Sequence, residues 1–213
     1  SVDVIAKIIE RDENLNSPNN KRAAKLRAKT VMFDEMTPSI IMAGFPMLDW
    51  IDIAMSPVCL PGEVDQNANI MYVDAAERMG LAADVCPLPS AEVGCAIVDD
   101  YPQVGSSFIT SSMPCDGSLG AALFMDRYMK KLPSFTLTPP QRFNEPETNA
   151  YAVKDLKNCI RFIEETYDVK WDWDAFWKKA EEHNKTTQCM LDKWDVNCTP
   201  YPQVIGSALS LQR

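Results

Sequence analysis

The sequence has one histidine, His183, and no Cys-x-x-Cys pair in its 213 residues. A structural zinc site of ordinary spacing is therefore poorly supported. Neither Gly-x-Gly-x-x-Gly nor Gly-x-x-x-x-Gly-Lys-Ser/Thr occurs, which disfavours a generic nucleotide-binding domain. No apolar run reaches the ~18 residues that a membrane span requires. The opening Ser1-Val-Asp-Val-Ile-Ala-Lys7 lacks the charged-then-apolar layout of a signal peptide. The expectation is a cytoplasmic protein with no membrane segment. Positive charge is also scarce: 21 Lys and Arg face 30 Asp and Glu, a net charge of -9. Nucleic acid and anionic membrane surfaces demand a basic face and are thus excluded as main partners. The local exception, Lys21-Arg-Ala-Ala-Lys-Leu-Arg-Ala-Lys29, reads first as a solvated helix face and second as a phosphate site.

What is present is an ordinary globular composition, 46% apolar, long enough for one substantial core or two small ones. Seven cysteines stand at 59, 86, 95, 115, 159, 189 and 198. An odd, well-spread set is not a secreted disulfide framework. In a reducing compartment such residues are either small buried hydrophobes or ligands of metals and clusters, here gathered from distant loops.

Residues 1–29 carry helical spacing at Val4, Ile5, Ile8 and Ile9, interrupted at Asn14–Asn20, with the basic stretch continuing as a second helix. Thr30–Phe33 reads as a strand. Thr37-Pro38 then caps a short helix to Ala43, which Gly44 closes. Residues 47–64, broken by Pro57 and Pro61, give no clear element. Asp65 caps a helix to Glu77 with Ile70, Val73 and Ala76 on one side and Gly80 as its stop. After Cys86-Pro-Leu-Pro-Ser90, Ser90 is the expected cap of a helix over Ala91–Val98. Further on, Thr148–Thr166 forms a helix with a stripe of Leu156, Ile160, Ile163 and Tyr167. Asp172 caps another, with Trp173, Phe176, Ala180, Thr187, Leu191 and Trp194 near one face. Residues 199–213 restart an apolar segment, so the chain reads as the first part of something longer.

The central stretch is Ser106-Ser-Phe-Ile-Thr-Ser-Ser-Met-Pro-Cys115-Asp-Gly-Ser-Leu-Gly. A strand over 107–111 ends at Met113-Pro114, and Asp116 or Ser118 starts a helix to about Lys131. With a strand over 134–138 this makes a parallel β-α-β unit. Cys115 thus sits where a strand ends and a helix begins, a place that collects ligands in open α/β sheets. Cys86 also precedes a helix. The fold class expected is α/β: a Rossmann-like parallel sheet flanked by helices. Its divisions are an N-terminal helical segment over 1–29, an α/β domain over 30–145 and a C-terminal helical segment over 146–213.

The ordered set Asp84-Val-Cys86-Pro-Leu-Pro-Ser90, Ser111-Ser-Met-Pro-Cys115-Asp-Gly117 and His183-Asn-Lys-Thr186 resembles the 2-hydroxyacyl-CoA dehydratase and benzoyl-CoA reductase family over roughly residues 30–213. The resemblance implies a subunit that binds a 4Fe-4S cluster through three cysteines. Cys86 and Cys115 match motif positions, and the third ligand is expected from a second α/β domain beyond Arg213. Cys59, Cys95, Cys159, Cys189 and Cys198 match none and are read as structural, as is His183. The implied activity is dehydration of a 2-hydroxyacyl-CoA to an enoyl-CoA through a ketyl radical, as in anaerobic amino-acid fermentation. Its implied partners are the acyl-CoA substrate, a homologous second subunit in a heterodimer, and an ATP-dependent iron-sulfur activator protein. Ser111, Ser112 and Asp116 stand as candidate catalytic residues that hydrogen-bond substrate or cluster, with helix capping as their other reading. Glu92 is either a base or a favourable first-turn charge. Asp34 and Glu35 before Pro38, and Ser39 after it, depart from the family's cysteine and acidic positions. A benzoyl-CoA reductase-like reductase and a non-catalytic α/β partner subunit are the alternatives.

Overall fold

A computed structural model of the chain describes residues 20–34, 39–52, 67–101, 104–112, 117, 119–120, 132–140 and 145–197. The described chain divides into two compact units, one over 1–37 and 47–169 and the other over 38–46 and 170–213.

The first unit is built on a four-stranded sheet: β1 (Thr30–Phe33), β2 (Asp49–Asp52), β3 (Ser107–Ser111) and β4 (Ser134–Leu137), in spatial order β2-β1-β3-β4. All three pairings are parallel, which is the expected α/β architecture. β1 and β3 occupy the centre; Val31, Met32, Phe33 and every residue of β3 are buried. A parallel strand covered on both faces needs a continuous apolar or hydrogen-bonded run, and Ser-Phe-Ile-Thr-Ser supplies one. β2 differs: Asp49, Trp50 and Ile51 are exposed, so neither face gives the alternation that announces a strand. That is why residues 49–52 carry no readable pattern.

Helix α1 (Lys21–Arg27) precedes the sheet, and the Asn20 side chain accepts from the Ala23 N–H at 3.0 Å. Only Ala23 of this helix is buried, so its basic residues are a solvated face, as its charge pattern suggests. α2 (Ala68–Arg78) and α3 (Pro87–Ile97) cover the sheet face that carries Met32 and Phe108. The buried stripe of α2 is centred on Tyr72 and Ala76, while Ile70, expected inside, is 56% exposed. Gly80, at φ 102, ends the α2 turn as expected of a left-handed stop. The two helices cross with backbone nearly in contact: a side chain at Gly94 would strike the Tyr72 carbonyl.

On the opposite sheet face lies α4 (Pro146–Tyr167), with Phe162 against Phe135 at 5.6 Å between ring centroids. Its buried face centres on Cys159 and Ile163; Leu156, predicted for the stripe, sits at the exposed border. Tyr167 fastens the end of this helix to the sheet's N-terminal edge. Its hydroxyl donates to the Thr30 carbonyl at 2.9 Å and lies 2.7 Å from Ser107 Oγ.

In the second unit, the short helix expected here is a 3-10 helix over Ser39–Gly44. Gly44 is buried in it and does not adopt the left-handed conformation of a helix stop. Glycine is needed for another reason: the Trp171 ring lies where a Cβ would be. Trp171 also meets Phe45 edge-on at 5.2 Å. Asp172 caps α5 (Trp173–Asn197), its Oδ1 accepting from Ala175 N–H at 3.0 Å. Beyond Ala180 the helix is exposed on every side through Gln188, and Trp173 and Leu191 are more than half exposed. The expected stripe is therefore only partly covered: Phe176 packs within the Trp171 cluster.

Candidate functional site

Order β2-β1-β3-β4 means that the chain leaves β1 in one direction to form β2 and crosses back to form β3 on the other side. The C-terminal ends of β1 and β3 are thus a topological switch point, where connections diverge and open α/β sheets bind ligands. Asp34 follows β1 there, with its backbone N–H donating to the Ile109 carbonyl at 2.9 Å. Ser111 and Ser112 end β3, 1% and 5% exposed, and the Ser112 N–H continues the ladder to Leu137 O at 2.9 Å. β4 ends beside them, with Thr136 Oγ1 accepting from Thr110 Oγ1 at 2.9 Å. The next residue, Thr138, is held at its N–H by Asp155 Oδ2 at 2.7 Å and pairs its hydroxyl with Tyr151 at 2.8 Å. The edge is accordingly hydroxyl-rich on apolar strands.

The alternation of strand side chains separates the two serines. Ser107 bonds Tyr167 on the α4 side, so Ser111 belongs to that face, whereas Ser112 continues the Phe108–Thr110 row toward α2 and α3. Only Ser112 of the pair thus shares a sheet face with the helix that begins at Cys86.

That helix starts earlier than expected. Cys86 is its N-cap, in extended conformation, with Pro87 at the first helical position. Ser90, predicted as the cap, instead turns its hydroxyl back onto the Cys86 carbonyl at 2.9 Å. A proline at N1 is preorganised for a helix start, which overrides the serine signal. The same prolines carry a cost for anion binding: Pro87 and Pro89 have no N–H, so the first turn offers only the Cys86 and Leu88 donors. After α3 the chain returns Tyr101 onto Phe108, near the start of β3, at 5.6 Å between rings. The C-terminal end of α3 therefore lies toward the N-terminal edge of the sheet, and Cys86 at its other end lies toward the C-terminal edge.

The four described cysteines fall into two kinds. Cys86 and Cys189 are exposed. Cys95 and Cys159 are fully buried, and their thiols are pushed up to about 12, chiefly by burial and next by the nearby Asp100 and Asp155 respectively. A thiol that stays protonated is a poor metal ligand, so both are small core residues. This agrees with reading Cys95 and Cys159 as structural; Cys189, read the same way, is on the exposed part of α5. Cys115 and Asp116 lie outside the described residues, as do Cys59 and Cys198 and nearly all of the helix expected over 118–131. Among the described residues no group of three His, Cys, Asp or Glu side chains could hold a metal. Cys86 by itself fits a cluster ligand in exposure and placement.

Glu92 stands not in the first turn of its helix but in the second, 8% exposed, accepting from the Tyr101 hydroxyl at 2.8 Å. Burial, then Glu92 and Asp34, hold the Tyr101 phenol well above its ordinary range, so it remains a donor. Nothing in the spacing of Glu92 and Tyr101 signalled this pair; tyrosine in a polar loop after Asp99-Asp100 carries no periodic mark.

The model of the family 2-hydroxyglutaryl-CoA dehydratase, D-component, matches residues 61–211. The chain belongs to this family. The matched region contains Cys86, Glu92, Ser111, Ser112, Cys115 and Asp116, whereas β1 and Asp34 precede it. A comparison with curated proteins gave no match. The dehydratase-family region thus spans both cysteines of the predicted pair and the strand between β1 and β4 that carries the serines. No helix among the described residues is long and apolar enough to cross a membrane.

Proposed function

We propose that this chain is the cluster-bearing subunit of a radical 2-hydroxyacyl-CoA dehydratase. It would work with a homologous second subunit and an ATP-dependent iron-sulfur activator that delivers one electron. The observation that carries this reading is Cys86 itself: an exposed thiol at the N-cap of α3, in a dehydratase-family chain whose parallel sheet has a topological switch point. Cys86 and Cys115 are the proposed ligands of a 4Fe-4S cluster, with a third thiolate from elsewhere in the assembled enzyme. Such a cluster, when bound, would supply a low-potential electron and a Lewis-acidic iron for an oxygen of the substrate.

The chemistry requires help because the β proton of a 2-hydroxyacyl thioester is hardly acidic and the hydroxyl leaves from the α carbon. One added electron makes the thioester carbonyl a ketyl, which expels hydroxide and renders the β proton removable; the electron is then returned. This chain's part is to bind and to exclude water. Ser112, on the α3 side of the edge, is proposed to hydrogen-bond the thioester or the leaving hydroxyl, and Ser111 to hold the end of β3. Asp116, next to Cys115 in the sequence, is proposed to hydrogen-bond substrate or cluster. The hydroxyls of Thr138 and Tyr151 extend the polar rim along β4.

The test is anaerobic iron and sulfide reconstitution of the assembled protein. The expected result is a broad visible band and a paramagnetic signal on reduction, both lost in Cys86→Ala and in Cys115→Ala. Colourless protein with the full partner set present would sink the reading. Turnover of candidate 2-hydroxyacyl thioesters with activator and ATP then separates a dehydratase from a reductase.

A further inference from the structure

α3 is held by several contacts, a hydrogen bond between Cys95 and Tyr72 that ties it to α2 among them, and three others bear on its place on the sheet. Ala91, Val93, Cys95 and Ala96 bury an apolar face, and Gly94 brings the helix backbone against Tyr72. Both contacts resist separation but say little about sliding or rotation, because apolar attraction is non-directional. The third contact is the buried hydrogen bond from Tyr101 to Glu92 at 2.8 Å. It is directional, and a carboxylate this deep is costly to leave without its donor. Tyr101 is in turn wedged edge-on against Phe108 of β3, so the bond ties the helix to the central strand. Glu92 stands six residues after Cys86, about 9 Å along the axis. A small rotation or slide at Glu92 is thus carried to the helix start as a rigid body.

We infer that Glu92 and Tyr101 are positioning residues for Cys86: their buried bond sets the rotation and height of α3 and so the place of the Cys86 thiol at the switch-point edge. This rests on the reading of Cys86 as a cluster ligand, yet its first test needs no cluster. Cys159, buried on α4 in the same unit, serves as the internal reporter of general loosening.

The experiment compares alkylation of Cys86 and Cys159 by iodoacetamide, followed by mass spectrometry, in cluster-free full-length protein and its variants. Tyr101→Phe removes the donor. The double variant Glu92→Leu with Tyr101→Phe replaces both partners by apolar groups of similar size, keeping the fold without the directional bond. Glu92→Gln keeps an acceptor for the phenol. Loss of a bond of this kind is worth roughly a fivefold change in an equilibrium. The Cys86 rate is accordingly expected to shift by up to roughly fivefold in Tyr101→Phe and in the double variant, with Cys159 unchanged and Glu92→Gln close to wild type. In reconstituted protein the same two variants are expected to broaden or split the paramagnetic signal of the reduced cluster, whereas Glu92→Gln keeps the wild-type line shape. An unchanged Cys86 rate in both variants, or a rise at Cys159 that parallels Cys86, overturns the inference and leaves the pair as general core support. If wild-type protein takes up no cluster, the cluster reading falls while the alkylation comparison still decides the role of the pair.

Discussion

At the scale of single residues, the four described cysteines separate by solvation more than by sequence context. Cys95 and Cys159 lie in apolar surroundings that disfavour the thiolate, whereas Cys86 and Cys189 face solvent. In cluster-free protein at pH 8, mass spectrometry after brief alkylation should find Cys86 and Cys189 modified and Cys95 and Cys159 intact. Modification of Cys95 at the rate of Cys86 would contradict the burial of α3. The same groups set a pH dependence. The folded-state values of Cys95, Cys159 and Tyr72 are raised to about 12, and Tyr101 and Tyr167 are raised as well, burial being the first cause in each. A raised value means that the folded state holds its proton more tightly than the unfolded one. The stabilisation is therefore complete below the unfolded thiol value of 9.0 and is lost as pH climbs toward 12. Thermal unfolding should fall between pH 9 and 12, with a shallower fall in the Cys95→Ala, Cys159→Ala double variant; an equal slope in that variant would remove the thiols from the account.

At the scale of elements, the legible parts were those whose pattern matches their burial. Thr30–Phe33 and Ser107–Ser111 were readable because central parallel strands are buried on both faces and show as short uninterrupted runs. β2 was not, because an edge strand with exposed Trp50 and Ile51 has no periodic signature. The start of α3 was misplaced by four residues because Ser90 is a good cap in isolation, while Pro87 fixes the start upstream and turns Ser90 back onto Cys86. That shift matters to the site: it puts Cys86 itself at the N-cap position, without a side-chain capping bond. Pairings across the fold, such as Tyr101 with Glu92 or Tyr167 with Ser107, have no local sign and depend on which helix covers which strand. The α2–α3 crossing gives a further prediction. Gly94→Ala forces a methyl into the Tyr72 backbone, and overpacking of this kind costs typically ~1–3 kcal/mol. Chemical denaturation should show that loss, together with altered Cys86 reactivity as α3 is displaced; a Gly94→Ala variant as stable as wild type would mean that the helices are not in backbone contact.

At the scale of the whole molecule, the chain pairs a parallel α/β unit with a second unit built on the 3-10 turn and α5. The first presents an edge suited to a polar ligand: Asp34 follows β1, Ser111 ends β3 with Ser112 next, and Thr138 follows β4, while the Cys86 end of α3 lies toward the same side. Family membership rests on sequence likeness over 61–211, and the edge is of the kind where open α/β sheets bind ligands. The central proposal is that Cys86 and Cys115 hold a redox cluster. Its most direct test is the electron paramagnetic resonance spectrum of the assembled protein, purified and reconstituted without oxygen and then reduced. The account predicts a cluster signal in wild type that vanishes in Cys86→Ala and persists in Cys95→Ala; a signal that survives Cys86→Ala at full intensity would contradict it.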